Sequence, residues 1–344
     1  MANRLPRWRG FNLTDMCVWS PGMEEIAPGE AGDIAEADFA LVREWGFDWV
    51  RIPMDYRLWT APDEATGSWR FREVALRRID RYVELGGQYG LHVALNFHRA
   101  PGYCVNAPPE PRSLWTDPVM QAMFNSQWHT LAERYRGVDS ARLSFDLVNE
   151  PPWPGGPGGF TRKNHEAVIR GVVAAIRSAD PARLIMANGI CCGQDPIKEI
   201  ADLGPQNVGQ SCRGYYPFGI SHYQATWVSP VHAQPPKWPG AEHFGMPFWR
   251  AELEGCYVPW VKMMNAGVGV HCGECSGFNR TPHEVFLAWF GDVLGILKRH
   301  GIGWGLWGIR QGFGVLDSER ADVAYEDFRG QKLDRKLLEL LRAN

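Results

Sequence analysis

The sequence predicts an α/β protein built as a single (β/α)8 barrel over residues 1–344. Three observations lead there. Eight short apolar runs of strand length alternate with eight helical patterns, no stretch is left over for a second domain, and polar residues recur at the ends of successive runs. With 344 residues, 45% of them hydrophobic and 22% charged, the chain can bury a core of that size. A doubly wound sheet is the competing fold. It calls for a glycine-rich phosphate loop directly after an early strand, and here the first strand runs into Thr14-Asp-Met-Cys-Val-Trp19.

Taken in order, Trp8 to Leu13 reads as a first strand, followed by a Pro/Gly loop and a helix over 33–45, with Gly46 placed to end it. The second strand, 47–54, carries Arg51 near its end inside an apolar run, where a buried guanidinium requires an anionic partner. A helix over 70–90 ends at Gly90, and the strand 91–99 then ends in Asn96-Phe-His98-Arg99. The spacing predicts helices over 117–135 and 161–179, a fourth strand over 143–149, a fifth over 184–188, and a short helix over 195–203. The sixth strand, 207–215, leads into an excursion over 216–248 rich in Pro and aromatic residues, a length of irregular chain that usually has a function. Helices over 251–266, 282–300 and 333–341 and strands over 268–274 and 302–307 complete the pattern.

In such a barrel chemistry gathers at the C-terminal ends of the strands, where the following loops converge. Those ends supply Asn12, Arg51, His98, Asn149 with Glu150, Arg213 with Tyr215, Glu274 and Trp307. The fourth strand stops in Asn149-Glu150-Pro151, because proline cannot continue a ladder. The seventh stops in Gly273-Glu274. Two carboxylates suit cleavage of an acetal: one delivers a proton to the departing oxygen while the other, ionised, attacks or stabilises the anomeric carbon, with retention or inversion set by the distance between them. Neither task needs a metal or a cofactor, and none is expected. Sixteen tryptophans fit the same chemistry, since indole faces stack on sugar rings.

These pieces, namely Arg51-Ile-Pro53, Asn96-Phe-His98, Asn149-Glu150-Pro151, Tyr215 in Tyr-Tyr-Pro-Phe218, Gly273-Glu274 and Trp307, stand in the order found in family 5 glycoside hydrolases, which the chain resembles from residue 8 to about 316. The resemblance implies a retaining β-glycosidase with Glu150 as acid/base and Glu274 as nucleophile. It further implies that Arg51 and Tyr215 hold Glu274, that Asn149 binds the sugar 2-hydroxyl, that His98 contacts the same sugar, and that Trp307 forms its floor. One departure stands out: Arg213 occupies the place, two residues before the tyrosine, where the family has a histidine. Either Arg213 turns towards another residue or towards a substrate anion, in which case it and the loop at Arg99 read an acidic or unusual sugar, or His222 takes the missing place.

The loop after the third strand and the excursion over 216–248 are positioned to wall off part of a cleft, which favours short oligosaccharides or glycosides over polymers. Open-cleft cutting of β-1,4-glucan or mannan is the alternative within the family, and a carbohydrate-binding barrel without turnover is the alternative outside it. A metal-dependent hydrolase is disfavoured, because the strand ends carry no multi-histidine set. The net charge of −3 with no long basic run disfavours nucleic acid as a partner. No apolar span of membrane length and no leader are evident, so the expectation is a cytoplasmic protein with eight reduced cysteines, among them Cys272-x-x-Cys275 as buried thiols.

Overall fold

A computed structural model describes residues 2–63, 68–243 and 245–344. Eight strands form its parallel ladders: β1 (Arg9–Asn12), β2 (Trp49–Asp55), β3 (His92–Ala100), β4 (Leu143–Asp146), β5 (Leu184–Asn188), β6 (Val208–Gly214), β7 (Val270–Cys275) and β8 (Gly303–Leu306). The longer helices are α1 (Glu36–Glu44), α2 (Glu73–Tyr89), α3 (Pro118–Arg134), α4 (Arg162–Ala179), α5 (Arg250–Asn265), α6 (His283–Arg299) and α7 (Arg335–Ala343). This alternation is that of a (β/α)8 barrel. The chain divides into two compact units, residues 13–211 and residues 1–12 with 212–344.

In the unit spanning 13–211, β2 pairs with β3, β3 with β4, β4 with β5 and β5 with β6, all parallel. Every residue of β2 and β3 is buried, which is why these segments read as nearly continuous apolar runs. The helices start and stop on side-chain chemistry. Asp117 accepts from the Val119 amide with Pro118 in the first turn, Thr161 and Asn164 form a reciprocal cap, and Gly90 closes α2 at φ 66°. The core between helices and sheet is aromatic. Phe97 stacks on Trp128 at 4.1 Å, Phe145 lies 5.0 Å from the same indole, and Trp128 Nε1 donates to the Leu147 carbonyl at 3.1 Å.

Two expectations need correcting here. The helix expected from residue 70 starts at Glu73, because Ser68–Phe71 pairs antiparallel with Thr60–Asp63; residues 64–67 between them lie outside the described chain. The helix expected over 195–203 is a 3-10 stretch, Lys198–Gln206, interrupted at Ile200 and carrying Pro205, whose missing N–H cannot extend an α-helical ladder.

In the other unit, β8 pairs in parallel with both β1 and β7. The β7–β8 register breaks between Cys272 and Cys275, so β7 carries a bulge at Gly273-Glu274. The segment over 216–248 is more ordered than its composition implies. It holds a helical turn at Phe218–Ser221, a bridge between Tyr223 and His232, and a hairpin of Ala241–His243 with Met246–Phe248; residue 244 is outside the description. Trp289 of α6 anchors it by donating to the Tyr216 carbonyl at 2.9 Å. No helix of the described residues is long and apolar enough to cross a membrane.

Two buried histidines are expected to make the fold less stable in acid. Burial pushes His165 down to about 3, with Arg162 adding to the effect, and pushes His92 down to about 4 against an opposing bond to the Ala141 carbonyl. Both imidazoles stay neutral in the fold, while in the unfolded chain they take up protons below their ordinary 6.5. Their effect on stability is therefore flat above pH 6.5 and grows more unfavourable as the pH falls from there towards 4. Urea unfolding followed across that window should show stability dropping with pH, and His165→Leu should shallow the slope. An unchanged slope in the variant would show that another group governs it.

Candidate functional site

The ends of β2 to β5 converge on one carboxylate, Asp146. Its Oδ2 lies 2.7 Å from Arg51 Nε, its Oδ1 accepts from the Asn188 amide, and its backbone carbonyl accepts from Asn96 Nδ2 at 3.0 Å. The Arg51 guanidinium also donates through Nη2 to Asn149 Oδ1 at 2.9 Å, which fixes which way the Asn149 amide faces. Arg51, Asn149 and Asp146 are almost wholly buried, so the ion pair supplies the anion that a buried arginine requires.

The same network sets the backbone at Glu150. Strand β4 ends at Asp146, yet Leu147 N still bonds the Met186 carbonyl and Asn149 N the Phe97 carbonyl, so the chain remains held between its neighbours up to the acidic residue. Glu150 then turns with φ 48°, a left-handed conformation that costs a residue with a side chain about 1–2 kcal/mol. Asn188 Oδ1 receives its amide at 3.3 Å and Tyr103 donates to its carbonyl at 2.5 Å. The following prolines are tied as well. Cys191 and Cys192, both left-handed, donate their amides to the carbonyls of Pro152 and Pro151. The Glu150 side chain is half-buried, and His98, which is buried, sits where the β2–β3 register shifts.

At the ends of β6, β7 and β8 the focus is Glu274, on the β7 bulge and 3% exposed. Arg213 Nη2 lies 3.1 Å from its Oε1, and Tyr215 OH donates to its Oε2 at 3.3 Å. Arg213 is itself buried, and its Nη1 donates to the Cys212 carbonyl. Asn12 at the end of β1 donates to the carbonyls of Gly273 and Leu306, at 3.0 and 3.1 Å, and so pins the backbone beside Glu274. The thiols of Cys272 and Cys275 flank the acid, buried, each donating to a carbonyl at 3.4 Å. Trp307, half-buried just past β8, donates its amide to the Cys275 carbonyl at 2.9 Å. His222 packs edge-on against Tyr215 at 5.1 Å between ring centroids.

Strand-end reasoning thus locates Arg51, Asn149 and Glu150 in one network and Arg213, Tyr215, Glu274 and His222 in another. It misses Asp146 and Asn188, which hold the first network together. The signal for Asp146 is in the sequence: an acid three residues before Asn149, on a strand whose neighbour carries a buried arginine. The two arginines offered as readers of an acidic sugar are engaged within the protein. Arg213 lies on Glu274, and Arg99 is bound by Glu110 at 2.6 Å, Asp55 at 3.4 Å and the carbonyls of Pro108 and Asn106.

Residues 7–312 match the family model described as Cellulase (glycosyl hydrolase family 5). A crystal structure described as a glycoside hydrolase is 38% identical and superposes with a TM-score of 0.89, covering 98% of this chain and 99% of that one. Endoglucanase C of Acetivibrio thermocellus is 26% identical over 316 residues, 85% of this chain and 89% of its own length. Cellodextrinase A of Ruminococcus flavefaciens is 25% identical over 276 residues, 78% of this chain and 76% of its own. The Thermotoga maritima Cel5A structure in complex with mannotriose has the same barrel, at 20% identity, a TM-score of 0.74 and 97% coverage of both chains.

Removing the anion at the centre of the first network should be costly. Asp146→Ala removes the carboxylate bonded to the buried Arg51 guanidinium, and urea unfolding should show a loss of about 3–5 kcal/mol. A loss below about 1 kcal/mol would mean that Arg51 does not depend on this pair.

Proposed function

The chain belongs to glycosyl hydrolase family 5, the cellulase family, and on that premise we propose that it hydrolyses short β-linked oligosaccharides or glycosides, with Glu274 as nucleophile and Glu150 as acid/base. The observation that carries the assignment of the nucleophile is the setting of Glu274: buried, presented by a bulge at a strand end, and bonded by a guanidinium and a phenol. A guanidinium at that distance favours the ionised carboxylate, the form that attacks.

In the first step Glu274 forms a bond to the anomeric carbon as the bond to the leaving oxygen breaks, and the Glu150 carboxyl passes its proton to that oxygen. In the second, the Glu150 carboxylate takes a proton from water, the water oxygen bonds to the anomeric carbon, and Glu274 departs as a carboxylate. Two inversions give net retention, as the family requires. Asn149, its amide fixed by Arg51, is proposed to bind the sugar 2-hydroxyl, where a hydrogen bond strengthens as charge develops. His98 is proposed to contact the same sugar and Trp307 to stack beneath it. Arg51 is proposed to support the site through Asp146 and Asn149, and Arg213, with Tyr215, to position Glu274.

Short substrates are favoured by the ordered excursion over 216–248 and by the likeness to a cellodextrinase. The likeness to Endoglucanase C supports a second reading, internal cutting of β-1,4-glucan. Relative rates on a cello-oligosaccharide ladder and on soluble substituted cellulose separate the two. Residues 1–344 are proposed to act as one catalytic domain, and eight free cysteines suit a reducing compartment.

The roles of the two acids are separable by the stereochemistry of rescue. Glu274→Ala should lose turnover by orders of magnitude on an aryl β-glucoside and regain it with azide, yielding the α-glycosyl azide. Glu150→Ala with azide should yield the β-glycosyl azide. The opposite pairing, or rescue of neither variant, overturns the assignment.

A further inference from the structure

We propose that His222 is a substrate-binding residue whose Nε2 accepts a hydrogen bond from one hydroxyl of the sugar held at Glu274. The inference rests on the hydrolase reading above and adds to it a polarity and a specificity.

The polarity follows from counting protons. Ser221 has one hydroxyl proton, and its Oγ is bonded to the Tyr215 carbonyl, which can only accept. That proton is therefore committed. The same Oγ lies 2.9 Å from His222 Nδ1, and with the serine proton directed elsewhere, Nδ1 must be the donor of this bond. Burial pushes His222 down to about 4, with His232 acting in the same sense and Glu274 opposing, so near neutral pH the ring carries one proton. That proton is on Nδ1, and Nε2 presents a lone pair. Among the described residues the hydrogen bond given for this ring is the one at Nδ1.

The ring is held in this orientation. Phe218 stacks on it at 4.9 Å, and the rings of Tyr215, Phe313 and Trp227 surround it at 5.1, 5.7 and 6.4 Å. The turn that carries it is tied to the chain after β7, since Phe278 N donates to the Ser221 carbonyl at 2.8 Å and Thr281 Oγ1 bonds the Ile220 carbonyl. Tyr215, which meets the imidazole edge-on, is the residue that donates to Glu274. A neutral acceptor is thus fixed one aromatic ring away from a carboxylate to which Arg213 and Tyr215 donate. The ligand chemistry that suits it is an alcohol O–H. A fluorine at the same position cannot donate, and a hydrogen offers nothing.

The test compares an aryl β-glucoside with its monodeoxy and monofluoro-deoxy analogues on wild type, His222→Phe and Ser221→Ala, with circular dichroism to confirm folding. Losing one hydrogen bond to a buried acceptor should lower kcat/KM roughly 10–100-fold. Wild type should show that loss at the ring position that His222 meets, apart from the losses expected at the hydroxyls assigned to Asn149 and His98, and for H and F alike once the electronic slowing by fluorine, measured on His222→Phe, is divided out. His222→Phe should lose a similar factor on the parent glycoside and become indifferent at that position alone. Ser221→Ala, which keeps the imidazole but releases its tautomer, should narrow the preference for hydroxyl over fluorine. If His222→Phe folds and its losses multiply unchanged at every position, or if Ser221→Ala leaves the preference intact, the inference is overturned. An absence of any turnover by the wild-type chain overturns the hydrolase reading, and this inference with it.

Discussion

A carboxylate buried to 3% exposure is tolerable only if the surroundings replace the water it has lost, and for Glu274 that replacement is the Arg213 guanidinium and the Tyr215 hydroxyl. Much of the local structure serves this arrangement. The β7 bulge re-aims the side chain, Asn12 secures the carbonyls of Gly273 and Leu306, and Arg213 near the end of β6 and Tyr215 just past it reach the same carboxylate. Gly214 between them has no side chain for a physical reason: a Cβ there would meet Cys275 Cβ at 2.6 Å. In this chain an arginine takes the position at which the resemblance leads one to expect a histidine. Its charge is permanent, so its support of Glu274 does not depend on its own titration.

Asp146 plays the corresponding organising part for residues 13–211. It neutralises Arg51, orients Asn188 and, through them, fixes the Asn149 amide and the left-handed turn at Glu150. The backbone strain at Glu150, Cys191 and Cys192 is held by the Glu150 amide donating to Asn188, by Tyr103 donating to the Glu150 carbonyl, and by the two cysteine amides donating to the carbonyls of the prolines that follow the acid. Both networks share one principle: a charged group is kept inside by a partner that also sets the geometry of a neighbour.

Periodicity and punctuation made most of the fold legible. The strand Leu184–Asn188 lies where the sequence puts it, Gly90 closes its helix in a left-handed conformation, and Asp117 and Thr161 cap theirs. The strand-end rule also collected most of the polar side chains that meet in the two networks. What escaped depends on register and on distance in three dimensions. The bulge at Glu274 is a mismatch between β7 and β8, the pairing that delays α2 spans undescribed residues, and the choice of partner by Arg213 is set by a residue 61 positions away. Asp146 lies inside the strand expected over 143–149, three residues before Asn149, where an end-of-strand rule does not reach, and the tautomer of His222 depends on the folded turn that bonds Ser221 to the Tyr215 carbonyl.

The most direct measurement of the central claim is to trap the glycosyl-enzyme. A 2-deoxy-2-fluoro β-glucoside with a good leaving group reacts at the nucleophile, and its electron-withdrawing fluorine slows release by destabilising the oxocarbenium-like transition state. Peptide mass mapping after inactivation should find the sugar on Glu274. A sugar on any other residue, or inactivation with no covalent adduct, would contradict the account.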